Sequence, residues 1–356
     1  TGVQTCALPI SCPPHPNQWA VVEALNGSQE PSEHMREVFQ GRRRRIVDGL
    51  NEIEGISCQE PGGAFYVWPN VTEAAKMVGA EDSEALRKRL LYDAGRTVAG
   101  AEDPRLGDID VLLVSHMHGD HVGDRHMPVP NAGECGNPDV SVAAAPNTNS
   151  VNIALAKKAK IVTGSEMPSF FAGKLKALGG DPKASQLVRF GASRKVGGVA
   201  ITTVPAAHSN GLGGAFIGGE LGKSMAAAGL TAYVGPPTGY VLKFSNGLAV
   251  YLSADTGITA EQDLVVRGHY GAKLAVINIG NVFTTGPAEA AYVVNSLVKP
   301  NSVIASHANE EATSGGKVRA GTKTEKFSKM ANMPVHVPLS GNTMEFDASG
   351  KCVNGC

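Results

Sequence analysis

The chain has 356 residues, and 32 Lys and Arg nearly balance 33 Asp and Glu. This length allows two domains, and the balanced charge argues against a nucleic-acid-binding surface or a polybasic membrane patch. No run approaches the roughly 20 apolar residues of a membrane span, and no basic-then-apolar secretory leader opens the chain. The compartment stays open, with the cytoplasm as the default and the periplasm as the alternative.

The first segment, residues 1–12, reads TGVQTCALPISC and has no hydrophobic periodicity. It resembles the translation of a sequencing-library adapter, so we interpret it as an artefact and exclude it from the fold prediction. The alternative is a natural disordered N-terminus.

Residues 13–95 predict a small α+β piece. HMREVFQGRRRRIVDGLNEI repeats apolar residues at a helical period, and the Arg42–Arg45 run within it is interpreted as the solvated face of that helix. GISCQEPGGAFYVWPN predicts two strands around a Pro-Gly-Gly turn. SEALRKRLLYDAG predicts a second helix, with Ser83 as its N-cap.

This piece resembles the C-terminal small domain of class I pyridoxal-phosphate aminotransferases in QWAVVEALNG, the Arg-rich helix, PGGAFYVWPN and RLLYDAG. In that family a Schiff-base lysine lies upstream and a carboxylate-binding arginine lies downstream, and neither has a counterpart here. Lys76 and Lys88, the lysines of the piece, stand in no such context. Without the lysine there is no internal aldimine, so we expect a fragment without pyridoxal phosphate and without catalytic activity.

After Gly95 the pattern changes to short Val/Ile/Leu-rich strands that alternate with Ala-rich helices and Gly/Pro turns. That alternation predicts an α/β domain. We therefore place the domain junction near residue 95 and assign residues 96–356 to the second domain.

Four apolar segments of the second domain each end at a potential metal ligand. They are IDVLLVSH, GVAITTVPAAH, GLAVYLSAD and NSVIASH, which end at His116, His208, Asp255 and His307. Strands that lie side by side bring their ends to one edge of a sheet, so we expect these residues to converge. The alternative for any one of them taken alone is a structural histidine or aspartate.

The ligand types fit two divalent metal ions. His116 and His118 alternate in SHMHGDHVGD and, with His208, predict three imidazoles around one ion. The predicted ligands of a second ion are Asp120, His121 and His307. Asp255 is the predicted bridge, because a carboxylate has two oxygens to share. Two such ions can hold a bridging hydroxide as the nucleophile, with Asp120 or a metal-bound water handling protons. His126 and His269 are interpreted as bystanders.

Residues 96–347 resemble the metallo-β-lactamase superfamily, and most of all its hydrolases related to the ascorbate-6-phosphate lactonases. The resemblance rests on SHMHGDHVGD, PAAHS, YVGPPTGYVLKF, YLSADTG, INIGNVFTTGPAEAAYVV and VIASHAN. It implies an αββα sandwich and carries the family's ligand set onto the residues named above. Zinc is the metal it implies, with manganese or iron as alternatives. His118 stands where the di-iron flavoprotein branch has a carboxylate, which disfavours that branch.

The same resemblance implies that the first strands of the sandwich are missing, since the aminotransferase-like piece occupies their place. We therefore expect the DVLLV strand to be partly unpaired.

The leading function is a dinuclear metal-dependent hydrolase that acts on a small ester, lactone, phosphodiester or amide, without a nucleic-acid or membrane partner. A pyridoxal-phosphate aminotransferase and an inactive chimeric product are the alternatives, and homo-oligomerisation stays open.

Six cysteines stand at positions 6, 12, 58, 135, 352 and 356 and form no CxxC pair. The close pair Cys352 and Cys356 is interpreted as two free thiols on a frayed tail, with a disulfide as the alternative.

Overall fold

The computed structural model describes residues 15–62, 67–73, 90–96, 98, 100–103, 106–127, 144–196, 198–339 and 342–356. The chain divides into two compact units, Thr1–Leu86 and Arg87–Cys356. The segment interpreted as an adapter lies outside the described residues. No helix in the described part of the chain combines the length and the apolar character needed to cross a bilayer.

The first unit contains helices His15–Asn26 and Glu30–Asn51. The second of these is the helix predicted from the apolar periodicity, and Glu30 and Glu33 in its first turn complement the helix dipole. An antiparallel bridge joins Ser57 to Asn70, as expected for the two arms of the predicted hairpin. Residues 63–66 between these arms lie outside the described residues, as do residues 74–89, with Ser83, Lys76 and Lys88.

The second unit is built on two larger sheets. Its strands are β1 Leu90–Tyr92, β2 Val111–Leu113, β3 Lys160–Thr163, β4 Ser185–Leu187, β5 Ser193–Val196, β6 Val199–Pro205, β7 Gly211–Leu212, β8 Ala232–Tyr233, β9 Thr238–Lys243, β10 Ala249–Leu252, β11 Leu274–Asn278, β12 Ser302–Ser306, β13 Thr313–Ser314, β14 Lys317–Val318, β15 Val335–His336, β16 Glu345–Phe346 and β17 Cys352–Asn354. One sheet has the order β1-β2-β3-β4 and is parallel, and the other has the order β15-β12-β11-β10-β9-β6-β5 and is mixed.

Helices cover the outer faces of both sheets, which gives the predicted αββα sandwich. Residues from both sheets, including Leu113, Ile201 and Tyr240, form the core between them. Helices Asn149–Lys157 and Met167–Ala177 pack on the outer face of the four-stranded sheet. The helices on the outer face of the seven-stranded sheet include the π-helix Gln262–Arg267, Pro287–Tyr292, the π-helix Val293–Val298, and Lys323–Met330.

Strand β1 differs from the prediction in two ways. Leu90–Tyr92 was expected to be helical, but it pairs in parallel with β2, in the register Leu90↔Val111. Strand β2 also pairs with β3 on its other side, so the expectation of a partly unpaired DVLLV strand is wrong. The reason is that LLY is short, apolar and β-competent, and pairing with β2 satisfies backbone groups that a helix end would leave free.

The interpretation of the terminal cysteines as free thiols is also wrong, because Cys352 and Cys356 form a disulfide in the structure. A hairpin of β16 and β17 holds Cys352. The following turn through Gly355, at φ 73°, returns the chain so that the two Cα atoms lie 6.4 Å apart. Such a positive φ suits glycine.

Tyr240 joins the two sheets through its hydroxyl group. This fully buried side chain extends from β9, and its hydroxyl lies 2.7 Å from the carbonyl oxygen of Val114 and 3.1 Å from that of Val162. Burial raises the pKa of Tyr240 well above its usual value, so the hydroxyl keeps its proton and can donate it.

We predict that Tyr240→Phe lowers the free energy of unfolding by about 1–2 kcal/mol, since it leaves buried carbonyl groups without this donor. Urea unfolding of the full chain measures the loss. Tyr233→Phe is the matched control, because Tyr233 is 72% exposed. Equal losses in the two variants would contradict a role for the hydroxyl group in joining the sheets.

Candidate metal centre

The histidine-rich loop leaves strand β2 and enters a one-turn helix, Gly119–Val122. Its backbone is extended as far as His118, at φ −68° and ψ 145°. Side chains alternate along extended backbone, so His116 and His118 share one side of the loop. Met117 points to the other side and is buried in the core. The His-x-His spacing therefore places two imidazoles together.

A tight turn closes this loop. Gly123 has φ 77°, in the left-handed region that favours glycine. A Cβ atom at this position would lie 2.6 Å from the Cβ of Asn149 and 2.9 Å from the carbonyl oxygen of Gly95. The loop is thus packed against its neighbours on both sides, and a larger residue here would displace it.

Three imidazoles form the first group of the centre. His116 Nε2 lies 3.0 Å from His118 Nδ1, and His208 Nε2 lies 3.3 Å from the same His118 nitrogen. Burial lowers the pKa of each of the three rings. For His116, the neighbouring histidines lower the pKa further. Neutral rings present nitrogen lone pairs, and three that converge on one point form a ligand set typical of zinc.

Asp120, His121 and His307 form the second group. His307 Nε2 lies 3.4 Å from Asp120 Oδ2, and His121 Nε2 lies 3.6 Å from it. Burial raises the pKa of Asp120, but the hydrogen bond from His307 and the charge of His121 outweigh it, so the pKa is well below its usual value. Asp120 is therefore a carboxylate, and its side chain is 39% exposed, so it faces the solvent side of the centre.

Asp255 lies between the two groups. Its Oδ2 atom is 3.3 Å from both His121 Nε2 and His307 Nε2, and 3.8 Å from His208 Nε2. The side chain is almost completely buried. One carboxylate oxygen thus contacts members of both groups, which is the position expected of a bridging ligand.

The backbone is strained beside two of these side chains. His307 has φ 49° and Ala254, which precedes Asp255, has φ 59°. Non-glycine residues in this region cost on the order of 1–3 kcal/mol each and persist where the surrounding structure holds them. Both lie where a strand of the seven-stranded sheet ends, so the strain accompanies the turns that aim Asp255 and His307 into the centre.

His121 shows that the residues fit a cation. Its Nδ1 atom is 2.9 Å from Asp93 Oδ2, whereas its Nε2 atom is buried, points to the centre and makes no hydrogen bond to a described residue. Burial lowers the pKa of His121, but Asp93 and Asp255 outweigh it and raise the pKa to about 10. The ring therefore holds a proton at Nε2 that a metal ion at this position would replace.

Asp93 is a residue of this centre that the sequence analysis missed. One oxygen accepts the backbone N–H of Ser115 at 2.8 Å, and the other accepts the Ser115 hydroxyl at 2.7 Å and contacts His121 Nδ1. A carboxylate that receives the Nδ1 proton of a ligand histidine fixes its tautomer and ring orientation. Asp93 therefore fixes the orientation of the His121 ring through its Nδ1 atom.

The residues after Asp93 hold the same loop from outside. The backbone N–H of Gly95 donates to the carbonyl oxygen of His121 at 3.0 Å. Arg96 forms a two-pronged ion pair with Asp124, at 2.8 Å and 2.9 Å. Such paired contacts fix orientation as well as charge. The segment Asp93–Arg96 thus supports the ligand loop along its length.

The signal for Asp93 is present in the sequence. LLYD is an apolar run that ends in an acidic residue, which is the pattern that identified the other strand ends. The sequence favours the aminotransferase-like piece for these residues, because RLLYDAG also matches the pattern of that family. The two interpretations compete over the same residues, and the pairing of β1 with β2 places this strand in the second unit.

All seven predicted ligands are brought together: His116, His118, Asp120, His121, His208, Asp255 and His307. In each of three overlapping triplets the ligand atoms lie within 4.8 Å of one another. His269 is exposed and belongs to none of these triplets. His126 is buried and also belongs to none of them.

Two family models match the chain. The β-lactamase superfamily domain matches residues 88–308, and the class I and II aminotransferase family matches residues 4–105. The second match begins inside the segment interpreted as an adapter, and the two matches overlap at residues 88–105. The overlap contains Asp93–Arg96, so the residues that support the ligand loop belong to both patterns.

Individual proteins give the same division. A metal-dependent hydrolase of Cupriavidus metallidurans is 29% identical over 210 residues, which cover 57% of this chain and 58% of that protein. This chain thus spans less than two thirds of that relative. An aspartate aminotransferase of Bacillus subtilis is 45% identical over 76 residues, 21% of this chain and 19% of that protein. A metallo hydrolase structure from Ignicoccus hospitalis has 19% identity and a TM-score of 0.41, covering 70% of this chain and 85% of its own.

We predict that Asp93→Asn weakens metal binding by about 10- to 100-fold, because His121 loses the carboxylate that orients it. Titration of the full chain with Zn²⁺, with metal content measured after dialysis, checks this. Asp108→Asn is the control, since Asp108 is an exposed acid of the same domain. If the two variants bind Zn²⁺ equally, Asp93 does not position a ligand.

Proposed function

The chain belongs to the β-lactamase superfamily, and on that premise we propose that it is a dinuclear metal-dependent hydrolase of a small molecule. The observation that carries the proposal is the pair of ligand groups that meet at Asp255 Oδ2. A single ion would not need both groups. The two groups contribute six other nitrogen and oxygen donors in overlapping triplets, which suits two cations that share Asp255.

Each group is assigned one ion. His116, His118 and His208 would hold the first, and Asp120, His121 and His307 would hold the second, with Asp255 available to both. Two divalent ions so held supply Lewis acidity and an activated water for hydrolysis at neutral pH. Imidazole and carboxylate donors suit zinc, and also manganese or iron, and we propose zinc.

Asp120 is the residue proposed to move a proton. It is the most exposed of the three side chains of the second group, at 39% against 8% for His121 and 18% for His307. Asp120 is ionised and its Oδ2 atom faces His307, so Oδ1 is the oxygen proposed to accept a proton from an attacking water. Returning that proton to the leaving group would complete hydrolysis.

The proposed substrate is a small ester, lactone, phosphodiester or amide, the classes that a hydrolytic centre of this kind can cleave. The name of the Cupriavidus metallidurans relative specifies a metal-dependent hydrolase without a substrate. The near balance of 32 basic and 33 acidic residues gives no reason to propose a nucleic acid.

The aminotransferase-like unit is proposed to take no part in the chemistry. It matches about a fifth of an aspartate aminotransferase, and its sequence has no lysine in a Schiff-base context. All seven proposed ligands, and Asp93 as well, follow residue 86 in the second compact unit.

We expect purified full-length protein to hold about two zinc ions per chain and to hydrolyse a member of a lactone and phosphodiester panel. The double variant His116→Ala and His118→Ala should lose at least one ion and about 90% or more of that activity, because loss of a residue that only supports a ligand already costs about 10- to 100-fold. Elemental analysis and initial rates measure both.

His269→Ala is the matched control, because it removes an exposed imidazole that belongs to no ligand group. Full metal content in the double variant would refute the ligand assignment. Absorbance of bound pyridoxal phosphate without metal would favour the aminotransferase alternative, and neither cofactor would favour an inactive chimera.

Two deletions test where the second domain begins. Removing residues 1–86 should leave metal content and turnover within about twofold of the full chain, since Asp93–Arg96 remain in place. Removing residues 1–95 should lower Zn²⁺ affinity by about 10-fold or more, because Asp93 and Gly95 are lost. Equal behaviour of the two truncated proteins would contradict a domain boundary before residue 90.

A further inference from the structure

A second set of metal-type donors lies at the end of the chain. The imidazole of His336 and the sulfur atoms of Cys352 and Cys356 have their potential ligand atoms within 4.8 Å of one another. None of these residues belongs to the centre at the strand ends. Two sulfurs and one nitrogen also differ in chemistry from the imidazoles and carboxylates of that centre, because thiolate is a soft ligand.

Two of the three donors, His336 and Cys352, lie on β-strands. His336 lies on β15, the edge strand of the seven-stranded sheet, where Ile304↔His336 is a paired position. Its ring contacts the Phe346 ring edge-on, with centroids 5.4 Å apart. Phe346 is paired with Cys352 in the β16–β17 hairpin. The imidazole and the first sulfur are thus positioned by neighbouring elements.

The hairpin itself is tied to the sheet. Asn301 donates its side-chain amide to the carbonyl oxygen of Ser349 at 2.7 Å, and the Ser302 hydroxyl donates to that of Gly350. Asp347 accepts the backbone N–H of Lys351 at 3.0 Å. These bonds do not involve the cysteines, so we expect the hairpin to keep its place when the disulfide is opened.

We propose that His336, Cys352 and Cys356 form a redox-gated site for a soft divalent cation such as zinc. In the disulfide form the sulfurs are bonded to each other and are poor ligands. Reduction by an external dithiol breaks the Sγ–Sγ bond, passes two electrons and two protons to the cysteines, and closes the dithiol into its own disulfide. Cation binding then releases the two thiol protons to solvent.

Exposure allows this exchange. Cys356 is exposed and Cys352 is half-buried, so a reductant can reach the bond, as thiol–disulfide exchange requires. The neighbouring imidazole completes three protein ligands, which leaves a fourth position for water, an arrangement that zinc accepts.

The two states connect different parts of the chain. The disulfide joins residues that are four apart, so it constrains only the tail. A cation would also bind His336 and would therefore tie the tail to the edge strand of the large sheet. Reduced protein with the cation should thus unfold at a higher temperature than reduced protein without it.

The test uses full-length protein and Cd²⁺, whose bonds to thiolate give an ultraviolet charge-transfer band that imidazole and carboxylate ligands do not give. Protein is loaded with Zn²⁺, reduced with a dithiol, freed of it by gel filtration under nitrogen, and titrated with Cd²⁺. We expect a band that saturates with about one more Cd²⁺ per chain than in Cys352→Ser/Cys356→Ser. That variant keeps the other four cysteines and so controls for their thiolates.

His336→Ala leaves both cysteines in place and separates a cation site from a simple dithiol. It should weaken the Cd²⁺ titration by roughly tenfold or more, while His269→Ala should not change it. The oxidised protein should show no additional band. An equal band in the double serine variant, unchanged Cd²⁺ affinity in His336→Ala, or equal binding by oxidised protein would each overturn the proposal.

Discussion

A buried carboxylate that needs positive charge organises the second unit of this chain. Asp255 is almost completely buried, and a buried charge is stable only when a compensating charge lies beside it. Three strand ends and one loop bring imidazoles to this carboxylate, and the raised pKa of His121 provides a compensating proton. A cation at the same position would balance the charge of Asp255 and bind the lone pairs of the neutral rings. The same ion would therefore stabilise the buried carboxylate and supply the proposed metal chemistry.

The proposed ligands depend on a neighbouring residue, Asp93, for their orientation. Asp93 contacts Ser115 and His121 at once, which links the strand of the ligand loop to the ring that faces Asp255. This arrangement depends on β1, a three-residue strand whose backbone pairs with β2. A chain that kept every proposed ligand but lacked this strand would keep the donors and lose the restraint on their orientation.

The two donor sets on this domain divide by chemistry and by exposure. The strand-end centre consists of nitrogen and oxygen donors that lie where sheet strands end, and the sheet fixes their geometry. The tail offers sulfur at the surface, on a hairpin that other hydrogen bonds hold in place. Borderline ions such as zinc can bind both kinds of site, and of these two donor sets the tail is the one proposed to respond to a change in redox conditions.

The sequence by itself determined the α/β class, the chimeric organisation and the identity of the seven converging donors. The donors follow strand ends, and strands that lie side by side bring their ends to one edge of the sheet. It also predicted the Glu30–Asn51 helix from its period. It did not determine the state of Leu90–Tyr92, because a short apolar run suits a helix or a strand, and the partner strand decides between them. Nor did it determine the Cys352–Cys356 bond. That bond depends on a hairpin register and a turn at Gly355, and only the tertiary structure brings the two sulfurs together beside His336.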